Sequence, residues 1–229
     1  MSAPSIASVQ PLVKVPPNVD AVVFRRAVAA AREMLDCVNQ MTGSHVDLDG
    51  ESVADTPRRH VKALWECMQG YTMVPDVTTF DNESKPDDTK DDDDASGDQK
   101  KKHRAGMLVG AIPFSSTCEH HLLPFDGKAH IAYIPGDRIL GLSKFPRMVK
   151  RFSKRLQVQE RLTKQILDEI EKTLHPKGVG VLLEAKHSCM QCRGAESDGL
   201  TFTYALSGDI ESDPGLRGEF FKMADMARQ

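Results

Sequence analysis

Two segments far apart in this chain are rich in cysteine and histidine, and they constrain the fold more than any other feature. The first is STCEHHLLPFDG (116–127), and the second is KHSCMQCRG (186–194). Thiolate and imidazole ligands suit zinc. Cys118 and His121 are three residues apart, so in a regular strand their side chains would point to opposite faces. Both can reach one ion only if the first segment turns or is helical.

Two arrangements of a metal site are open at this point. In one, Cys118, His121, Cys189 and Cys192 together close a four-ligand structural site, which the C-x-x-C spacing of the last two favours. In the other, only three of the four bind, and the fourth position holds water, as in catalytic sites. The remaining interpretation is that the cysteines are small buried hydrophobic residues and the histidines ordinary core residues. Two clusters with adjacent histidines count against it.

The composition excludes several classes of function. The net charge of −3 gives no overall basic field for nucleic acid, and one Trp and three Tyr argue against aromatic platforms for single-stranded nucleic acid. No stretch approaches the roughly 18–20 apolar residues of a membrane helix. The N-terminus has neither a continuous apolar run nor an Arg, so it is a poor signal or transit peptide. We therefore expect a soluble cytoplasmic protein in a reducing compartment, which the odd count of five Cys also suggests.

The chain is predicted to contain four regions. Residues 1–17 are rich in Pro, Ser and Ala and form a flexible arm. Residues 18–80 form a helical region, with apolar residues at helical spacing from Val19 to Met41 and a second helix capped by Thr56 and stopped by Gly70. Residues 81–105 are an acidic and then basic insert with few hydrophobic residues, which predicts a disordered loop. Residues 106–229 form the catalytic domain.

Strand-like and helical runs follow one another in the last region without strict alternation. GMLVGAIPF, GKAHIAYIP, GVGVLLEAKH and LTFTYALSG read as strands, and PGD predicts a turn that joins the second of these to a strand in RILGLS. SKFPRMVKRFSKRL and VQERLTKQILDEIEKTL read as helices, and a last helix opens at Asp213-Pro214. The pattern indicates an α+β protein.

A series of motifs in this order and spacing resembles GTP cyclohydrolase I. The motifs are STCEHH, AYIP, GLSK, QVQERLT and HSCMQCRG, and the resemblance covers most of the chain from the Val19 helix onward, apart from the insert. It implies the tunnelling fold, an antiparallel sheet backed by helices and preceded by N-terminal helices. It also implies that subunits join their sheets into a barrel within a homodecamer, with active sites at subunit interfaces.

The resemblance also implies the reaction and its metal. The family opens the imidazole ring of GTP, releases C8 as formate and yields 7,8-dihydroneopterin triphosphate, the entry to folate or tetrahydrobiopterin synthesis. Carried over by position, zinc (Zn2+) is held by Cys118, His121 and Cys189, which implies the open site. Attack on C8 needs hydroxide near neutral pH, and zinc lowers the pKa of water that it binds. Cys192 would then not be a ligand.

Further site residues follow from the same motifs. His120 and His187 match the proton-transfer histidines, and an imidazole pKa near 6.5 suits that task. Glu160 matches the carboxylate that accepts the N1–H and amine of guanine, and Gln159 beside it is also expected to bind the substrate. The residues that match triphosphate contacts are Ser143, Lys144, Arg147, Arg193 and Arg59. Ser143 and Lys144 lie at an expected helix start, which favours anions. Glu119 has no assigned role beyond a local ion pair or the orientation of a ligand.

Two other functions remain open. One is a binding or structural protein with a closed zinc site that includes Cys192. The other is a relative that acts on a different pterin or purine, in which Glu160 would serve but the phosphate-binding cations need not.

Overall fold

The computed structural model describes residues 15–44, 47–51, 53–82 and 106–228. By its contacts, the chain divides into two compact units, Met1–Glu66 and Cys67–Gln229. Most of the predicted arm (1–17) and nearly all of the predicted insert (81–105) lie outside the described residues, so both remain predictions. No helix in the described ranges is long and apolar enough to span a membrane.

The first unit contains the two predicted N-terminal helices. Helix α1 spans Ala21–Thr42 and α2 spans Thr56–Cys67, so α2 ends at the boundary between the units. The Asp20 carboxylate caps α1 by accepting hydrogen bonds from two backbone N–H groups of its first turn. Gly43 ends α1 in the left-handed conformation, with φ of 62°. Both helices therefore begin and end within two residues of where local sequence places them, except that α2 stops before Gly70.

The second unit is a mixed α and β structure. After a 3₁₀ turn at Gln69–Tyr71, its described elements are β1 (Thr79–Asp81), β2 (Met107–Cys118), β3 (Pro124–Ile134), β4 (Arg138–Leu140), α3 (Lys144–Ser153), β5 (Leu156–Gln157), α4 (Gln159–Leu174), β6 (Gly178–His187), α5 (Ser188–Gln191), β7 (Thr201–Ser207), α6 (Gly208–Ser212) and α7 (Pro214–Met226).

Five of these strands form one sheet in the order β5-β2-β3-β6-β7. All neighbours are antiparallel except β2 and β5. The predicted α+β class is confirmed. The PGD turn does follow a strand, but the strand after it does not return to the sheet: β4 pairs instead with β1, from Thr79↔Leu140 to Asp81↔Arg138. Turn chemistry predicts a change of direction, and it does not decide the partner strand.

Helices cover both faces of the sheet. Odd-numbered residues of β3 and β6, such as Ile131 and Val181, pack in one core with α3 and α4. Even-numbered residues, such as Ala132 and Leu182, pack in a second core with α6 and α7. Because successive side chains of a strand point to opposite faces, two covered faces require nearly continuous apolar strands. This explains the apolar run GVGVLL in β6.

A buried charged group lies on the α7 face of the sheet. His130 of β3 is fully buried, and its Nε2 lies 3.3 Å from Glu184 Oε1 on β6. Its Nδ1 accepts from the backbone N–H of Ala111, at an irregularity in β2. Glu184 Oε2 also pairs with Arg228 Nε at 2.9 Å. A carboxylate buried on a sheet face is tolerated here because two partners satisfy it.

The strand register gathers the chemically rich segments at one end of the sheet. Thr117 pairs with Pro124, and Phe125 pairs with His187, so the end of β2, the start of β3 and the end of β6 are adjacent. Cys118 pairs with Gln157 of β5, immediately before α4. Strand pairing therefore brings the two cysteine- and histidine-rich segments together, although they are far apart along the chain.

Candidate metal centre and active site

A tight turn after β2 brings the first two predicted ligands together. The backbone N–H of Cys118 donates to Leu123 O at 2.8 Å, and the N–H of Leu122 donates to Cys118 O at 2.9 Å. Leu122 adopts φ of 55°, which a residue with a Cβ rarely does. The turn places Cys118 Sγ 3.6 Å from His121 Nδ1. The expectation that this segment must turn for both side chains to share an ion is met.

Cys189 completes the group from the other segment. It lies on the single turn of α5, directly after β6, where the register brings it beside the turn that follows β2. One ligand atom each from Cys118, His121 and Cys189 lies within 4.8 Å of the others. Cys118 is buried, Cys189 is half-buried and His121 is exposed, so the group opens to one side. This arrangement could hold a metal ion.

The electrostatics of the two thiols favour a bound cation. Burial raises the pKa of the Cys189 thiol, and the neighbouring Cys118 raises it further, while the charge of Arg193 acts weakly in the opposite direction. Two adjacent thiolates in a partly desolvated place repel each other unless a positive ion lies between them. Metal ligation through sulfur requires both to be deprotonated. The group is therefore better suited to a metal than to two free thiols.

Cys192 is not a member of this group among the residues that the structure describes. It caps the end of α5 through its backbone N–H, which donates to Ser188 O at 2.9 Å, and its side chain is exposed. The closed four-ligand alternative would need all four side chains to converge. Three protein ligands leave a coordination position open, as catalytic zinc sites do.

His187 is held in a defined state by Gln159. The Gln159 side-chain amide is buried, and its Nε2 donates to Leu183 O at 3.2 Å and to Thr201 O at 3.0 Å. Because carbonyl oxygens only accept, the amide must face them with its nitrogen, and its Oε1 faces His187 Nε2 at 2.8 Å. His187 Nε2 must then carry a hydrogen and donate it. Its Nδ1 is left as the nitrogen that gains or loses a proton.

The rest of the His187 environment restricts its ring. The imidazole stacks on Phe125 with ring centroids 4.6 Å apart and planes 4° from parallel. Burial lowers the pKa of His187, and the negative charge of Glu160 opposes this to a smaller degree. Glu160 itself is exposed in the first turn of α4, next to buried Gln159. The predicted guanine carboxylate and one predicted proton-transfer histidine therefore lie close together.

The sequence left the partner of Glu119 unassigned, and the structure shows that it is Arg161. Glu119 Oε2 accepts from Arg161 Nη2 of α4, and the backbone N–H of Glu119 donates to Gln157 O at 3.0 Å. These contacts tie the turn that follows β2 to the start of α4. His120 Nε2 lies 3.9 Å from Glu119 Oε1, and its side chain is 63% exposed. The second predicted proton-transfer histidine is thus available to solvent or substrate.

The predicted triphosphate contacts fall into separate groups. Ser143 is the residue before α3, and its side chain makes no capping hydrogen bond, while Lys144 and Arg147 lie in the first turn. Both of these cations contact Asp76, Lys144 Nζ at 2.6 Å from Oδ1 and Arg147 Nη1 against Oδ2. Arg193 follows α5, near enough to influence Cys189. Arg59 lies on α2, in the first unit.

Sequence reasoning missed two residues that act on the predicted site. Arg161 donates a hydrogen bond to the Glu119 carboxylate. The only sequence signal for this role was that Arg161 lies in the motif QVQERLT, two residues after Gln159. Asp76, in the segment MVPDV, carries no local signal at all, because its cationic partners are some 70 positions away along the chain. Gln159 was expected to bind substrate, yet both of its N–H donors are occupied by backbone carbonyls.

Comparison with known proteins gives one consistent family. The sequence model described as GTP cyclohydrolase I matches residues 29–225. A GTP cyclohydrolase 1 of Chlorobium phaeovibrioides is 44% identical over 184 residues, 80% of this chain and 76% of that protein. One of Leptospira biflexa is 52% identical over 179 residues, 77% and 89% of the two chains. Among solved structures, an archaeosine synthase QueF-Like in the apo form aligns at 18% identity over 45% of this chain and 92% of that chain, with a TM-score of 0.38, too weak a likeness to bear on the fold.

The family model spans the second unit as far as residue 225 and much of the first, and it includes every residue of the metal-capable group. The sequence motifs, the convergent ligands and the relatives agree, and the chain belongs to the GTP cyclohydrolase I family of enzymes.

Proposed function

We propose that the protein catalyses the zinc-dependent hydrolysis of GTP to 7,8-dihydroneopterin triphosphate and formate, the first step of folate or tetrahydrobiopterin biosynthesis, and that it does so in the cytoplasm. The observation that carries this proposal is the convergence of Cys118, His121 and Cys189 at the end of the sheet where β6 ends in His187. Family membership supports the same chemistry.

The three ligands fit zinc. Two thiols and one imidazole form a donor set that suits zinc, whereas harder divalent ions such as Mg²⁺ and Ca²⁺ take oxygen ligands. A bound zinc ion supplies Lewis-acid activation of water near neutral pH. Cys118 and Cys189 provide negative charge to hold the ion, and the exposed side of the group at His121 leaves room for substrate.

The two histidines are proposed to move protons during ring opening and rearrangement. His187 is fixed through Nε2 by Gln159 and on its face by Phe125, so its Nδ1 is the position for proton exchange. His120 is exposed and lies on the same turn as two of the ligands, so it can reach a substrate bound over the group. Two proton carriers are useful because ring nitrogens and the ribose oxygen need protons at different steps.

Substrate recognition is proposed to use charge of both signs. Glu160, in the first turn of α4, would accept the paired N–H donors of guanine. Ser143 and the cations Lys144 and Arg147 stand at the N-terminal end of α3, where the helix dipole also favours phosphate. Arg193 and Arg59 would add further positive charge, the latter from the first unit.

Assembly into a barrel-forming homodecamer of tunnelling-fold subunits is part of the proposal. It is supported by β7, which lies at the edge of the sheet and exposes Phe202 and Tyr204. A strand edge with exposed aromatic residues is a natural place for pairing with another chain. Helix α1 also exposes apolar side chains, including Val22 and Met41.

The test is to incubate the purified zinc-loaded protein with GTP that carries ¹³C at C8. We expect ¹³C-formate by NMR and, after oxidation, a fluorescent pterin in equal amount. ATP serves as the control nucleotide, since it lacks the donor pair that Glu160 would recognise. Absence of both products would reject the proposal, and pterin from a different purine would favour another substrate. His121→Ala should abolish the reaction. Cys37→Ser, which changes an exposed cysteine of α1, should not.

A further inference from the structure

In the segment 73–77, the acidic residue Asp76 contacts two cationic side chains of α3. The segment follows the 3₁₀ turn, has no regular secondary structure, and leads into β1. The two oxygens of Asp76 divide between two cations: Oδ1 accepts from Lys144 Nζ at 2.6 Å, and Oδ2 accepts from Arg147 Nη1. Within the part of the chain that the structure describes, Asp76 is the acidic partner that both side chains contact.

The segment is otherwise loosely held. A cavity of about 230 Å³ lies between Met73–Val77 and the flank of α3. Val74 is 83% exposed and Val77 is 41% exposed, so its apolar side chains add little burial. A loop is usually held in place by close packing of its side chains. In this segment the packing is loose, and the ion pairs of Asp76 hold it against α3. The segment can therefore move away from α3 if those contacts are exchanged for others.

The contact has the chemistry of a bound anion. The side chain of Lys144 is 14% exposed, so its charge lies in a partly desolvated place where an anionic partner matters. Hydrogen bonding to Lys144, and then to Arg147, holds the pKa of Asp76 below its usual range, so it is ionised at neutral pH. A carboxylate with one oxygen on each cation occupies the positions that two phosphate oxygens would take.

We propose that Asp76 competes with the triphosphate of the substrate for Lys144 and Arg147 and so sets the affinity for it. This inference rests on the proposed function, which assigns those two cations to the triphosphate. In the absence of substrate Asp76 neutralises them, and on binding a phosphate group displaces the carboxylate. Because part of the binding free energy is used for this exchange, Asp76 weakens the affinity for a triphosphate and leaves the chemical step unchanged.

The test compares steady-state kinetics of the wild-type protein and Asp76→Asn, which keeps the shape of the side chain and removes its charge. We expect KM for GTP to fall about two- to fivefold, the range for exposed ion pairs, with kcat unchanged. Inorganic tripolyphosphate, measured by calorimetry, should bind tighter by the same factor. Guanosine, which has no phosphate, should inhibit both proteins equally.

Two controls separate direct competition from a general change in charge. Asp168→Asn removes the same charge from an exposed ion pair with Lys164 on α4 and should leave KM as in the wild type. In an Arg147→Gln background the effect of Asp76→Asn should shrink, because one of the two contested cations is gone. An equal effect in both backgrounds, or an equal fall of KM in Asp168→Asn, would overturn the inference.

The direction of the change also decides between competition and support. A higher KM in Asp76→Asn would mean that Asp76 pre-organises the cations, and an unchanged KM would mean that it does not act on substrate; either result overturns the inference. If the wild-type protein forms no product from GTP, the proposed function fails first. If it forms product and Asp76→Asn has the wild-type KM, only this inference fails.

Discussion

Replacing Gln159 by Leu tests the link between the buried amide and the orientation of His187. Leu has a similar volume and fills the space, so the change removes hydrogen bonds without opening a large cavity. The wild-type amide is 2% exposed and makes three hydrogen bonds, to Leu183 O, Thr201 O and His187 Nε2. We expect losses both in stability and in turnover.

The stability loss follows from the groups left without partners. Leaving a buried acceptor or donor unsatisfied costs about 1–3 kcal/mol, and the half-buried imidazole can recover part of its loss by turning towards solvent. We expect Gln159→Leu to lower the free energy of unfolding by about 2–4 kcal/mol. Urea denaturation at a fixed protein concentration measures it. Gln165→Leu, which removes one hydrogen bond on α4 to Gln157, is the matched control and should cost about 1 kcal/mol.

The catalytic loss follows from the ring losing its fixed tautomer. General acid–base catalysis contributes about 100- to 10,000-fold, and a histidine that keeps its position but loses its fixed tautomer should lose only part of this. We therefore expect kcat to fall about 10–100-fold in Gln159→Leu and to stay unchanged in Gln165→Leu. NMR of ¹⁵N-labelled histidine gives an independent readout: wild-type His187 should show hydrogen on Nε2 and a free Nδ1. In Gln159→Leu the two tautomers should mix.

Three results would refute this reasoning. Neutral His187 with its hydrogen on Nδ1 in the wild type would mean that the amide is oriented the other way. Wild-type stability in Gln159→Leu would mean that the two carbonyls do not need its Nε2. A wild-type kcat together with mixed tautomers would show that the tautomer of His187 has no bearing on turnover.

Three further predictions concern the metal, the buried histidine and the sheet. In a titration against a chromophoric chelator, Cys192→Ser should keep one zinc per chain, and Cys189→Ser should bind zinc at least about tenfold more weakly. Loss of zinc from Cys192→Ser would instead support the closed four-ligand site. Burial lowers the pKa of His130, so below its ordinary value of about 6.5 the unfolded chain takes up a proton before the folded protein does, and stability present above pH 6.5 is lost as the pH falls. The free energy of unfolding should therefore drop less between pH 7 and 5 in His130→Gln than in the wild type, and equal slopes would contradict this. A Cβ on Gly127 would lie 1.9 Å from a carbonyl oxygen of β6, so Gly127→Ala should cost at least about 2 kcal/mol by thermal unfolding, whereas Gly218→Ala, with open space in α7, should stabilise by about 0.5–1 kcal/mol; equal effects would mean that the sheet adjusts freely at Gly127.

Local sequence determined the longer elements of this protein. The 3.6-residue spacing of apolar side chains predicts α4, where Leu162, Ile166 and Ile170 are fully buried. The apolar run of β6 predicts a strand, and the structure shows that both of its faces are covered. Capping chemistry places the start of α7 at Asp213-Pro214. The short elements β1, β5, α5 and α6 escaped prediction, because two to five residues are too few for a period and their conformation depends on what they pack against.

The chemistry of the site was also readable, because ligand preference belongs to residue types. Cysteine and histidine in two clusters indicate a thiol- and imidazole-binding metal, and the spacing of Cys118 and His121 requires a turn. Residue types and spacing alone left open whether three or four side chains converge, and only the resemblance to the family implied three. In the structure Cys189 joins the group and the Cys192 side chain is exposed. The same holds for Gln159 and Glu160, adjacent residues of which one is buried and the other exposed.

Tertiary structure alone decided which distant residues meet. The antiparallel register of β2, β3 and β6 brings Cys118 and Cys189 to one end of the sheet, and the pairing of β4 with β1 carries the chain that holds Asp76 to α3. Propensity, capping and ligand chemistry are properties of a few neighbouring residues, so they are visible in the sequence. Strand partners and ion pairs are chosen by the summed packing of residues far apart in the chain, which no local pattern encodes.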